Sequence, residues 1–261
     1  MLDASTLAGA PAHERRRATL ADVYTEFAAH PDNWLFIGLA LAVAAGLVAT
    51  GAQAADLLWL ALGVAVFIPQ EYFTHVHLLH RAVPASRRAY LCFYRLHYGH
   101  HDHPRRHDLM YMPLWLTLPM MAANLGLLWL LTPHLRAFWA AFGGALLGYL
   151  VFEWTHLLCH VPYVPTTRLW RHVRSLHLLH HFADEKKGYA VAPWALFMDG
   201  LMGTRVQREA GVRSPHSRLL GLDAHHPWLA EARRLNAHRS NGSATASRLW
   251  LRSAGGKGEA S

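Results

Sequence analysis

Four stretches are too long and too apolar for the surface of a soluble protein: Trp34 to Thr50, Leu57 to Phe73, Met110 to Thr132 and Ala137 to Trp154. Each approaches or reaches the roughly 20 residues that cross a bilayer core as a helix. Buried helices of a soluble protein are the competing account for the shorter two. Four runs in two pairs with short links favour spans instead. Composition agrees: 52% of residues are apolar and 16% charged, against roughly 25% charged in soluble domains. Gly144 and Gly148 form a small-xxx-small pair in the fourth run, a pattern that lets helices approach closely. The expected fold is all-α and integral to the membrane, with four transmembrane helices in two hairpins.

Orientation follows from arginine. The links at 51–56 and 133–136 hold one arginine between them, Arg136. The segment between spans two and three holds Arg81, Arg87, Arg88, Arg95, Arg105 and Arg106, and the fourth span is followed by Arg168, Arg171 and Arg174. Cytoplasmic loops carry the excess of basic residues, so both termini and the long middle segment are expected in the cytoplasm. The net charge of +8 is explained the same way. The basic residues flank spans and form no nucleic-acid motif, so no nucleic-acid partner is expected. The first residues hold no apolar h-region, and a cleaved signal peptide is not expected. Cys92 and Cys159 supply neither a disulfide framework nor a Cys-x-x-Cys zinc site; both are expected as reduced, packed thiols.

Histidine is the anomaly, with 21 in the chain. Ten fall where the spans return to the cytoplasm: His75 and His80, then His97, His100 and His101, then His156 and His160, then His177, His180 and His181. The order two, three, two, three repeats after each hairpin. At 3.6 residues per turn, positions i, i+3 and i+4 share a face, so each H-x-x-H-H triplet is expected to point one way. His75 and His80, five apart, fit a straight helix poorly; either the span end unwinds or His77 replaces one of them. Neutral imidazole is the commonest side-chain metal ligand. One ion takes three to five such ligands, so ten point to two ions, with their division between the ions open. Glu71, Asp102, Glu153 and Asp184 lie nearest, with Asp108, and are candidate partners for the remaining ring N–H groups. For the other histidines, including His103 and His107, ordinary structural or solvated roles are expected.

The ordered pattern H-x4-H, H-x-x-H-H, H-x3-H, H-x-x-H-H resembles the fatty acid hydroxylase and sterol desaturase superfamily of membrane di-metal oxygenases. The likeness runs from roughly Trp34 to Thr204. "HHDHPRRHDLMYMP" is most similar to the fatty acid 2-hydroxylase branch, and "HHFADEKKGYAVAPWALFMDGLMGT" to the family's closing segment, with Asp199, Gly203 and Thr204 in the expected order. Met198 stands where tryptophan is usual, which leaves the substrate open. The resemblance implies two iron ions held by the ten histidines, with zinc as an alternative occupant of purified material. It also implies O2 and oxygen insertion into a C–H bond of a membrane lipid, an acyl chain attacked at C2 being the first expectation and a sterol or carotenoid the alternative. A fused haem-binding domain would show His-Pro-Gly-Gly. Here His103-Pro104 precedes Arg105-Arg106, and His226-Pro227 precedes Trp228, so electrons are expected from a separate electron-transfer protein.

Arg95, Arg105, Arg106 and Arg174 are candidate headgroup clamps, and Tyr98, Tyr111, Trp154 and Tyr189 candidate entrance residues. A metal transporter or metal store is the rival class, but spans one and three hold no acid or histidine near mid-bilayer. The expected organisation is a polar segment 1–30, a membrane hydroxylase domain 31–210, a helical extension 211–240 with a helix from Pro227, and a disordered tail 241–261. The sequence leaves the oligomeric state open.

Overall fold

The computed structural model describes residues 18–206 and 220–237; the expected tail 241–261 and Arg15 to Arg17 lie outside them. Among the described residues all regular structure is helical. Helix α1 (Leu20–Ala29) starts at a capping box in which the Asp22 amide donates to Thr19 Oγ1 and the Thr19 amide to the Asp22 carboxylate, satisfying two otherwise orphaned donors. Four helices are long and apolar enough to cross a membrane: α2 (Pro31–Ala49), α3 (Ala54–Phe73, continued to Leu79), α7 (Leu114–Leu131) and α8 (Leu135–His160). Pro31 at the first turn of α2 fits a position whose N–H has no helical partner. The fourth span runs six residues past the apolar stretch, to His160.

Helix α8 is central. Of its most apolar window 56% is buried, against 11% in α2, so α8 packs on protein while α2 turns most of its surface outward. Glycine makes the α3–α8 contact: a Cβ at Gly63 would lie 1.8 Å from Ala141 O, and one at Gly144 2.0 Å from Leu60 O. Backbone thus rests on backbone where any side chain would intrude. At the far end from the histidines, Arg136 binds Asp56, Thr50 Oγ1 and the Gly51 carbonyl, tying the first hairpin's turn to the start of α8.

Beyond the spans lies a cap of shorter elements: α4 (Arg87–Phe93), α5 (Gly99–Asp102), α6 (His107–Met110), α9 (Arg168–Phe182), α10 (Leu196–Leu201) and α11 (Leu229–Ala237). Helix α11 begins two residues later than expected. Cys159 is buried as expected, whereas Cys92 is exposed. Two π-helical turns, Thr74–Leu79 and Tyr94–Tyr98, interrupt the cap's run-in. The first resolves the awkward five-residue spacing. The His80 amide donates to His75 O, five residues back, at 3.0 Å, so a π turn brings both rings to one side. His77 points away, exposed and stacked on Phe73 with centroids 5.7 Å apart.

Candidate metal centre

All ten rings of the histidine pattern meet at the junction of spans and cap, in two quintets. The first is His75, His80, His97, His101 and His180; the second is His100, His156, His160, His177 and His181. Within each, one ligand atom per residue lies within 4.8 Å of every other. The expectation that each H-x-x-H-H triplet points one way is corrected here. His97 and His101 serve the first quintet while His100 crosses to the second; His177 and His181 serve the second while His180 crosses to the first. Neighbouring helical residues diverge by about 100°, so adjacent histidines face different centres. The quintets abut where the His101 and His181 rings stack, centroids 4.1 Å apart.

The nitrogen atoms are packed as ligands are. His97 Nε2 lies 3.2 Å from His75 Nε2, 2.8 Å from His80 Nε2 and 3.0 Å from His101 Nε2. In the second quintet His177 Nε2 lies 2.9 Å from His160 Nε2 and 3.1 Å from His181 Nε2, and His156 Nε2 lies 2.9 Å from His100 Nε2. One imidazole nitrogen offers either one proton or one lone pair, so His97 Nε2 cannot satisfy three neighbours by hydrogen bonding. A cation among the lone pairs satisfies them together. The Nδ1 atoms of His100, His101, His156, His177 and His181 are buried without a hydrogen-bond partner among the described residues. Burying unpaired polar groups is costly; His180 Nε2 is likewise buried without a partner among the described residues, its Nδ1 being engaged by Lys187 O, and a cation is the partner that lone pair fits. For His80, His97, His100, His101, His177, His180 and His181, burial first and neighbouring imidazoles next hold the pKa well below 6.5. These rings are neutral at pH 7, the form that ligates a metal.

Two rings of the first quintet are oriented by backbone. His75 Nδ1 donates to Tyr189 O at 2.6 Å and His180 Nδ1 to Lys187 O at 2.8 Å, which leaves each Nε2 as the lone pair facing the centre. The loop carrying both carbonyls is held by acids. Glu71 Oε1 accepts from the Val191 and Ala192 amides, each at 2.8 Å, and Asp199 accepts from the Tyr189 and Ala190 amides and from Thr204 Oγ1.

The carboxylates therefore act differently from the expectation that they would pair with ring N–H groups: Glu71 and Asp199 fix the loop that fixes the rings. Asp102 binds Tyr94 and Arg233. Asp184 accepts from the Lys186 amide at the loop's start, and buried Glu153 faces the Met112 amide at 3.5 Å. His107 pairs with Glu26 at 2.8 Å and His134 caps α8, the structural roles expected of histidines outside the pattern.

An apolar cleft lined by span residues touches these centres. Phe67, Met121, Tyr149 and Phe152 line it together with His75 and His97 of one quintet and His156 of the other. The expected entrance aromatics do not line it. Tyr98 packs on Tyr90 and Phe93, Trp154 on Tyr24 and Phe27, and Tyr111 on His30, while Tyr189 lies against His75 and His180. Of the expected clamps, Arg106 is engaged by Asp108 and Asn236 O, and Arg174 reaches Val161 O. The cleft walls escaped the sequence because Phe67 and Phe152 read only as span residues.

Residues 58–204 match the family described as fatty acid hydroxylase, a span holding all ten histidines. The ceramide very long chain fatty acid hydroxylase SCS7 of Saccharomyces cerevisiae is 30% identical over 151 residues, 57% of this chain and 38% of that protein. The dihydroceramide fatty acyl 2-hydroxylase FAH2 of Arabidopsis thaliana is 32% identical over 156 residues, 55% of this chain and 59% of that one. A solved structure of full-length scs7p, in which only the hydroxylase domain is visible, superposes with a TM-score of 0.60 at 27% identity, covering 71% of this chain and 68% of that one. The matches span between 38% and 59% of these two curated relatives' lengths.

Proposed function

This chain belongs to the fatty acid hydroxylase family, and on that premise we propose that it is a multi-pass membrane hydroxylase that inserts oxygen into an acyl chain of a membrane lipid, at C2. The observation that carries this is the apolar cleft lined in part by His75, His97 and His156, where a hydrocarbon chain would lie against both quintets at once. We assign residues 31–210 to the hydroxylase domain and the ten histidines to two metal ions. Five nitrogens per centre exceed the four ligands of structural zinc sites, and imidazole suits iron; iron is the assigned metal. When bound, the two irons supply activation of O2, with electrons from a separate donor protein.

The chain's own residues bind, orient and exclude. The cleft walls keep water from the reacting carbon, and the flexible thioethers of Met112 and Met121, both lining it, adapt to a hydrocarbon of variable kink. Apolar contacts distinguish one methylene by only about 1–3 kcal/mol, so the carbon attacked is set by where the lipid headgroup is held. The arginine-rich segments support a cytoplasmic side for the cap and the centres, and with them both termini.

The test is lipid mass analysis of cells expressing the intact protein or His100→Ala. An acyl species heavier by one oxygen, hydroxylated at C2 and lost in the variant, is expected. Hydroxylated sterols or carotenoids would transfer the same chemistry to another substrate, and identical lipid profiles would overturn the assignment.

A further inference from the structure

We infer that the C-terminal helix α11 is a strap that positions both metal centres, acting through the ion pair between Arg233 and Asp102. This rests on the quintets being metal sites and goes beyond that assignment, since α11 lies outside the residues matched to the family. Asp102 directly follows His101 and ends α5, the short helix that carries one ligand of each quintet. Its side chain is 2% exposed. Both carboxylate oxygens are taken by Arg233, from Nε and from Nη2 at 2.7 Å each, and Tyr94 Oη donates to Oδ2 at 2.7 Å. This two-pronged bond fixes direction as well as distance. From Tyr94 the same network reaches the π turn bearing His97.

Further contacts anchor the strap across the same segment. Arg87 pairs with Glu231, Arg106 Nη2 donates to Asn236 O at 2.8 Å, and Tyr90 Oη donates to Gly221 O at 2.8 Å. Leu220, Leu222, Leu229 and Ala232 bury themselves against Tyr90, Tyr94 and Tyr98. The segment has little freedom from below either: a Cβ at Gly99 would meet Tyr94 O at 2.8 Å. Segment 94–102 is therefore clamped between its own π turn and α11. Without Arg233 the buried Asp102 carboxylate keeps, among the described residues, Tyr94 and the flanking His103 beside it, and His100 and His101 lose the stop at the end of their helix.

The test uses the full-length protein in detergent, loaded with Co(II), whose visible bands report ligand geometry. Arg233→Met is expected to shift those bands and to release metal to a chelator roughly tenfold to a hundredfold faster, with helical circular dichroism unchanged. Arg233→Lys, which keeps the charge and loses the fork, is expected to fall between. Arg234→Met, the same change one residue along, is expected to match the unaltered protein. If Arg233→Met does not fold, Arg233→Lys and Asp102→Asn are expected to show the shift in milder form. Unchanged bands and release in every folded Arg233 and Asp102 variant, or equal loss in Arg234→Met, would overturn the strap. An unaltered protein that takes up no Co(II) would overturn the metal assignment itself, and the strap with it.

Discussion

Removing Glu71 should separate the two centres. Glu71→Ala deletes two hydrogen bonds from the Val191 and Ala192 amides to one carboxyl oxygen, worth about 1.5–3 kcal/mol each to the ionised form. Part is recovered, because Glu71 Oε2 is buried without a partner and its removal relieves about 1–3 kcal/mol. Taken at the middle of both ranges, a net loss of about 2.5 kcal/mol in loop docking follows. Both backbone carbonyls in this loop that orient rings, Tyr189 O and Lys187 O, serve the first quintet. At about 1.4 kcal/mol per tenfold, the first centre should bind metal roughly thirty- to a hundredfold more weakly while the second holds. Glu71→Gln keeps an acceptor, with bonds about half as strong, and should weaken the first centre by roughly tenfold. Chelator titration with metal counted per chain reads the result directly: two ions leave in two separated steps. Release in one step, or earlier loss from the second centre, would refute the coupling of loop to ring.

Three further outcomes follow. His80→Ala should lose the first centre's metal, whereas His77→Ala, exposed beside Phe73, should retain two ions per chain by elemental analysis. Gly63→Val should abolish the native α3–α8 contact, since its Cβ would sit 1.8 Å from Ala141 O, while Gly126→Ala, with nothing within 4 Å, should be neutral; thermal unfolding in detergent compares them. Metal-free protein should lose stability as pH falls below about 6.5: burial and neighbouring imidazoles depress the folded-state pKa of His97, His100, His177 and His181, so the unfolded chain binds more protons there. Stability constant from pH 8 to pH 5 would contradict their burial as neutral rings.

The spans and the ten histidines could be read from the chain because apolar length and imidazole spacing are local properties. Even the misfit of His75 and His80 was informative, since a five-residue gap is what a π turn requires. The allotment of rings to centres was hidden. It turns on the divergence of His100 from His101, and of His180 from His181, against partners 56 or more residues distant, such as His156 against His100. The orienting carbonyls of Tyr189 and Lys187 carry no sequence signal, because every residue has a carbonyl. Acids drew attention as ring partners by chemical type, yet Glu71 Oε1 accepts from two loop amides and Asp102 from Tyr94 and Arg233. Arg233 carries no sequence signal either, because its carboxylate lies 131 residues away.

The exchange of His100 and His180 sets an order on biosynthesis. While the first hairpin and its following segment are made, only four of the first centre's five rings exist; the fifth arrives with α9, more than a hundred residues after His75. The second centre waits for the same helix. A ribosome that stalls between the hairpins therefore leaves no finished half behind, and both cations can be sealed in only after the last span is already threaded.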